Sequence, residues 1–176
     1  IELILDEFKR KSDIDFIVNL AYDSFKEPHG YGIRSDARTL IIDWLYDSTY
    51  NLITAYDGKS PVGFCFHQKT PKDEELYSGF ITFLPHITYN EQNISIQMVA
   101  VNPNKQRKGI ASSLINQVIE NSKDYTNQFY STCWKGLEGE SYKLFSKLGF
   151  QPVFTMGGMY KDESECTIVV KDLHNI

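Results

Sequence analysis

The stretch that most restricts the fold runs from Ile94 to Ile119. I-S-I-Q-M-V-A-V, Ile94–Val101, reads as a strand. Asn102-Pro103 ends it, because proline has no N–H to give a ladder. N-K-Q-R-K-G follows. From Gly109 to about Lys123 the residues Ile110, Ala111, Leu114, Ile115, Val118 and Ile119 recur at helical spacing. A strand, a short basic loop and a helix therefore follow without a break. The first N–H groups of such a helix have no partner inside it and carry the positive end of its dipole. A phosphate can dock there. Gly109 and the small Ala111 allow close backbone approach, and Lys105, Arg107 and Lys108 can neutralise further charge. The chemistry implied is a phosphorylated ligand held largely by main chain. Neither G-x-x-x-x-G-K-[ST] nor G-x-G-x-x-G occurs, so a Walker-type loop and a Rossmann dinucleotide site are not expected.

The rest of the chain supplies elements around this unit. Ile1–Leu5 reads as a short edge strand. Ser12, with Asp13 and Asp15 behind it, starts a helix carrying Ile14, Ile17, Val18, Ala21, Tyr22 and Phe25. Pro28–Gly32 breaks it, and Ser35 or Asp36 caps a second helix with Leu40, Ile41, Trp44 and Leu45 on one face. Asn51–Tyr56 and Val62–His67 are strands joined by a D-G-K-S-P turn. Residues 70–93 form an insert in which Leu76–Leu84 has strand character. Gln128–Cys133 reads as a strand, and Glu138–Leu148 as a helix closed by Gly149. Val153–Tyr160 and Cys166–Val170 are two last strands. This order, β-α-α-β-β-(insert)-β-α-β-α-β-β, implies a mixed α/β (α+β) sheet. With 176 residues, no repeats and no linker, the expected organisation is a single domain over 1–176.

Bulk properties exclude several classes. The net charge is −5 and the pI about 5.4, so a general nucleic-acid binder is not expected. The acidic balance suits a cationic partner. Three cysteines, Cys65, Cys133 and Cys166, are far apart, with no spacing that suggests a metal site or a disulfide framework. A reducing, cytoplasmic setting follows most simply. No apolar run approaches the ~18 residues of a membrane span. I-E-L-I-L-D-E-F is too short and too acidic for a signal peptide.

Val101, Pro103, Gln106, Gly109 and Ala111 spell V-x-P-x-x-Q-x-x-G-x-A, which resembles the acyl-CoA-binding signature of the GNAT superfamily of N-acetyltransferases. S-Y-K-L-F-S-K-L-G-F, Ser141–Phe150, resembles that family's A-x-x-L-Y-x-K-L-G-F, and the first helix and the strand order resemble it too. The likeness thus covers nearly the whole chain. It implies a central, mostly antiparallel mixed sheet flanked by about four helices. It implies acetyl-CoA as co-substrate and an amine as acceptor. Main-chain groups of Met98, Val99, Ala100 and Val101 would meet the pantetheine arm. The amides of Gln106, Arg107, Lys108, Gly109, Ile110, Ala111 and Ser112 would surround the pyrophosphate. The thioester would lie where the fourth and fifth strands part, with a backbone N–H near Val99 facing the developing oxyanion. Members of the family often pair through sheet edges, so a homodimer is a further expectation.

The acid and base do not carry over. Where the family often has a tyrosine acid stands Phe145, which has no proton to give. Where it often has an asparagine stands Glu138. Ser95 and Gln97 occupy the fourth-strand face that bears a carboxylate base in some members. Glu138 and Tyr142 are the candidate substitutes, Tyr142 lying one turn before Phe145. Weighed against structural roles are His86 and Glu91 in the insert, and Cys133, Tyr130 and Trp134 near the fifth strand. Two functions compete: acetyl transfer to the amine of a small molecule or peptide in a ternary complex, and a CoA-binding or regulatory module that has lost catalysis. A nucleotide-phosphate domain is the third reading, resting on the basic loop alone.

Overall fold

The computed structural model describes residues 3–7, 11–25, 37–70, 92–157 and 163–174. Within them seven strands make one sheet: β1 (Leu3–Glu7), β2 (Tyr50–Asp57), β3 (Ser60–Thr70), β4 (Asn93–Val101), β5 (Gln128–Trp134), β6 (Gln151–Met156) and β7 (Cys166–Asp172). The helices are α1 (Ile14–Phe25), α2 (Ala37–Tyr46), α3 (Ile110–Ser122) and α4 (Glu140–Lys147). Spatial order is β1-β2-β3-β4-β5-β7-β6. Every neighbouring pair is antiparallel except β4 and β5. Parallel neighbours cannot be joined by a hairpin, so the chain crosses over through α3. Among the described residues β1 and β6 are the outermost strands.

The two faces are covered by different helices. Ile110, Leu114, Ile115, Val118 and Ile119 of α3 pack with Phe145 of α4 on Ile53, Ala55, Cys65, Ile94, Ile96, Phe129, Cys133 and Val169. Leu114, Ile115 and Val118 have no exposed surface. Burial of each stabilises the fold by about 1.5–3 kcal/mol. On the other face α1 and α2 bring Ile17, Leu20, Ala21 and Ile41 onto Leu52, Phe64, Phe66, Met98 and Ala100. Beyond β4, among the described residues, that face carries the small cluster of Tyr130, Ile168 and Val170 with Val153 against it.

A bulge in β4 changes the alternation read from sequence. Phe66 pairs with Met98 but the next residue, His67, pairs with Ile96, so Gln97 is extra. Ile94 and Ile96 face α3, and so do Val99 and Val101, whereas Met98 and Ala100 face α1 and α2. A strict period of two would have put Ile94, Ile96, Met98 and Ala100 together. Ser95 and Gln97 nonetheless share a face as expected, the Gln97 amide lying 2.9 Å from the Ser95 hydroxyl; what the bulge changes is the face taken by Met98 and Ala100.

Element ends also differ from the sequence reading. β1 lies at Leu3–Glu7, and a 3-10 turn at Lys11–Asp13 precedes α1. Asp13 is buried there and accepts a 2.6 Å hydrogen bond from the Tyr56 hydroxyl. Glu138 is not helical in the α sense. It closes a 3-10 turn, Gly136–Glu138, and α4 starts at Glu140. Gly139 stands at this break in extended backbone, φ −75° and ψ 155°, and only glycine fits there, since a Cβ would sit 2.1 Å from the Trp134 carbonyl oxygen. β6 spans Gln151–Met156, and residues 158–160 of the expected strand lie outside the described ones. Leu76–Leu84, His86, Glu91 and the Ser35/Asp36 cap lie outside the described residues.

Candidate active site

β4 and β5 are hydrogen-bonded only from Asn93–Ile96 to Gln128–Ser131. The Ser131 hydroxyl donates to the Ile96 carbonyl at 2.9 Å, the last tie between them. Past it β4 continues along β3 while Thr132–Trp134 follow β7. A wedge opens, and one edge of Met98–Val101 loses its strand partner. Met98, Ala100 and Val101 bury their side chains in the two cores, and Val99 is half-buried against α3. Their main chain is the part a ligand can reach.

The loop after β4 is held by its own side chains. Asn102 accepts from the Asn104 N–H at 3.0 Å and caps the 3-10 turn Pro103–Lys105. The Gln106 amide donates to the Val101 carbonyl at 3.2 Å, tying loop to strand. Lys105 pairs with Asp57 at 2.9 Å, so its charge is matched within the protein, contrary to the expectation that it serves a phosphate. Arg107 and Gly109 both adopt left-handed backbone, at φ 62° and 77°. A Cβ on Gly109 would meet nothing within 4 Å, so its positive φ, not crowding, selects glycine.

Gly109 is the N-cap of α3, and no side chain caps that helix. Its first bond runs from the Ser113 N–H to the Gly109 carbonyl at 3.0 Å. The amides of Ile110, Ala111 and Ser112 precede that bond and have no partner within the helix, which residues 102–109 separate from the end of β4 at Val101. Two exposed cations flank them. Glu140 is held below the usual carboxylate range by a hydrogen bond from Lys143, and further by Arg107, which places Arg107 toward α4. Asp57 is held low by its hydrogen bond from Lys105 and, more weakly, by Lys108, which places Lys108 toward the end of β2.

The two catalytic candidates have different surroundings. Glu138 is exposed in its turn, and Tyr142 is half-buried against the α3-side core. Phe145 is buried, edge-on to Phe150 at 4.9 Å. The Phe150 N–H bonds the Phe145 carbonyl and the Gly149 N–H bonds that of Ser146, so this pair is the apolar clasp of a Schellman C-cap. Burial pushes the Cys133 thiol up to about 12, with Cys166 adding to it, so it stays a thiol at neutral pH. Among the described residues no group of three or more His, Cys, Asp or Glu is placed to hold a metal.

Sequence reading missed a polar row on the α1/α2 face. Tyr50, Gln68, Ser95 and Tyr130 are register partners across β2, β3, β4 and β5. Directly opposed residues point to the same face. Gln97 donates to Ser95 at 2.9 Å and to Gln68 at 3.3 Å, and Gln68 donates to Thr49 at 3.1 Å. Thr49 donates to Asp47 through its hydroxyl at 2.7 Å and its N–H at 2.8 Å. Those bonds hold Asp47 below its ordinary range. Burial, then Asp47 and Tyr130, push Tyr50 up to about 12. No local motif announces this row, because the register and the Gln97 bulge assemble it. A cavity of about 270 Å³, lined by Trp44, Tyr50, Asn51, His67, Lys69 and Asn121 among others, lies at the far end of the sheet, by the C-terminus of α3.

Known proteins can now be set beside this geometry. Residues 15–150 match the model of the acetyltransferase (GNAT) family. No curated protein matches. Among solved structures, Arabidopsis thaliana NAA60 in complex with acetyl-CoA is similar at TM-score 0.76 and 16% identity, over 98% of this chain and 99% of that one. The NatC complex bound to Gag peptide and CoA gives 0.70 and 18%, over 98% and 99%. An aminoglycoside 6'-acetyltransferase of type Ii gives 0.70 and 16%, over 97% of both chains. At such identities the likeness speaks for the fold. The family match covers most of the chain, with the strand wedge and the uncapped α3 inside it: the chain belongs to the acetyltransferase (GNAT) family.

Proposed function

We propose that the protein is an N-acetyltransferase that moves an acetyl group from acetyl-CoA to a primary amine of a small molecule or peptide, by direct transfer in a ternary complex. The observation that carries this is the uncapped start of α3 that follows the β4/β5 wedge in the chain. The amides of Gln106 to Ser112 receive the pyrophosphate, with Arg107 and Lys108 on its flanks. The freed edge of Met98–Val101 pairs with the amide-bearing pantetheine arm and leads the thioester into the wedge. A main-chain N–H near Val99 faces the thioester oxygen as it gains charge. With CoA on the α3/α4 side, the amine approaches from the α1/α2 side. Its nitrogen attacks the carbonyl carbon, the C–S bond breaks, and the CoA thiolate leaves. The nitrogen's proton passes through water to solvent; Glu138, exposed, and Tyr142, half-buried on the α3-side core, are the side chains to test as proton carriers. NAA60 with acetyl-CoA and NatC with CoA and a peptide support the choice of co-substrate and of acceptor type. We further propose one domain over 1–176, acting in the cytoplasm. Among the described residues the three cysteines are buried with no disulfide between them, and no helix is long and apolar enough to cross a membrane.

The test measures thiol release from acetyl-CoA with butylamine, spermidine, kanamycin and a tetrapeptide with a free α-amine. Release should require both substrates and rise as pH approaches the amine pKa. Calorimetric binding of CoA with no release from any amine would sink the enzyme reading. The second reading, a CoA-binding module, would then stand. It draws on Phe145, whose ring serves the core instead of the wedge.

A further inference from the structure

The polar row on the α1/α2 face has a direction, and that direction is set by one carboxylate. An ionised carboxylate only accepts hydrogen bonds. The Thr49 hydroxyl therefore spends its single proton on Asp47 Oδ1, at 2.7 Å. Its oxygen is left to accept, and it does so from Gln68 Nε2 at 3.1 Å. The Gln68 amide is thereby oriented, with its oxygen toward β4. That oxygen accepts from Gln97 Nε2 at 3.3 Å, and the same Nε2 donates to the Ser95 hydroxyl at 2.9 Å. Both N–H bonds of the Gln97 amide are now used. What remains is Oε1, exposed and without a partner among the described residues. Gln97 is also the extra residue of the β4 bulge, next to Ile96, where β4 and β5 part.

We propose that the chain Asp47–Thr49–Gln68–Gln97 fixes Gln97 Oε1 as the hydrogen-bond acceptor that holds an N–H of the acceptor amine at the wedge, so that Gln97 is a specificity-determining residue for N–H-bearing amines and Thr49 and Gln68 are positioning residues. This rests on the acetyltransferase reading above. An amide oxygen cannot take the amine's proton at neutral pH. It can hold one N–H and leave the nitrogen lone pair to point at the thioester carbon. A tertiary or quaternary nitrogen has no N–H to spare for it after attack. If Gln97 were reversed, its NH2 would face Gln68 Oε1 no longer and donor would meet donor at the wedge. Asp47 prevents this from two strands away, roughly 10 Å at ordinary strand spacing.

The experiment is steady-state kinetics with whichever of the four amines is turned over. Gln97→Ala and Thr49→Val should raise the KM for the amine roughly 3- to 10-fold, the loss expected of one hydrogen bond, with the KM for acetyl-CoA unchanged. Thr49→Ser should return the amine KM to within about twofold, since its hydroxyl keeps both bonds. The trimethylammonium analogue of the same amine should inhibit wild type and Gln97→Ala equally. An unchanged amine KM in Gln97→Ala overturns the proposal while leaving the acetyltransferase reading intact. If wild type acetylates none of the four, that reading fails and the relay is judged by NMR. Thr49→Val should then shift the Gln97 side-chain amide resonance, and no shift overturns the relay as well.

Discussion

At the scale of single residues, two backbone conformations separate what would otherwise look like one basic loop. Arg107 and Gly109 are both left-handed, but only Gly109 holds that conformation without cost. A non-glycine residue there pays about 1–2 kcal/mol. Arg107→Val should therefore lower the unfolding free energy relative to Arg107→Gly by about that much, as β-branching is least tolerated at positive φ. Chemical denaturation of the two variants checks it. Ligand binding should rank the other way round. Gly109→Val should weaken CoA binding far more than Arg107→Ala or Lys108→Ala, because it disturbs the amides of Ile110–Ser112, whereas each cation adds only a screened charge. Similar small losses in calorimetry at all three positions would contradict this ranking.

At the scale of elements, α4 is defined by its ends. Gly139 is its N-cap, and the Phe145–Phe150 contact closes it. Lys171 adds a 2.6 Å hydrogen bond to the Leu148 carbonyl. Phe145 is thus needed where it is for packing, whatever the family places there for catalysis. Phe145→Tyr should cost about 1–3 kcal/mol, the price of a buried hydroxyl with no built partner. Turnover should stay within about threefold, measured by thiol release at saturating substrates. A large gain would mean that a tyrosine acid had simply been lost and that the ring reaches the thioester.

At the scale of the whole molecule, stability should depend on a histidine buried in the sheet. His67 is 4% exposed, and burial, then Lys69, lower its pKa from the ordinary 6.5 to about 4. The unfolded chain then binds a proton between those values that the folded one refuses. The stabilisation is full above about pH 6.5 and is lost as pH falls toward 4, up to about 3 kcal/mol. Urea unfolding at pH 7 and pH 4.5 should show the decline, and His67→Leu should flatten it by that amount. Equal slopes in the two proteins would remove His67 as the cause.

Much of this was legible in the chain itself. The run from Ile94 to Ile119 determined a strand, a loop and a helix that starts at a glycine, because alternation, Pro103 and Gly109 act over a few residues. The element order, and with it the mixed sheet, followed from the same local signals. Helix α4 starts later than read because a 3-10 turn, Gly136–Glu138, and the extended Gly139 precede it, and that only glycine fits beside the Trp134 carbonyl is visible only in the fold. Lys105 looked like a phosphate ligand until β2 brought Asp57 beside it. The row from Asp47 to Gln97 is the extreme case. Its members come from the α2–β2 turn, β3 and β4, and a bulge turns Gln97 toward them. Sequence periodicity describes one element at a time. Register and bulges, which decide what meets at the wedge, are properties of how elements pair, and only the tertiary structure holds them.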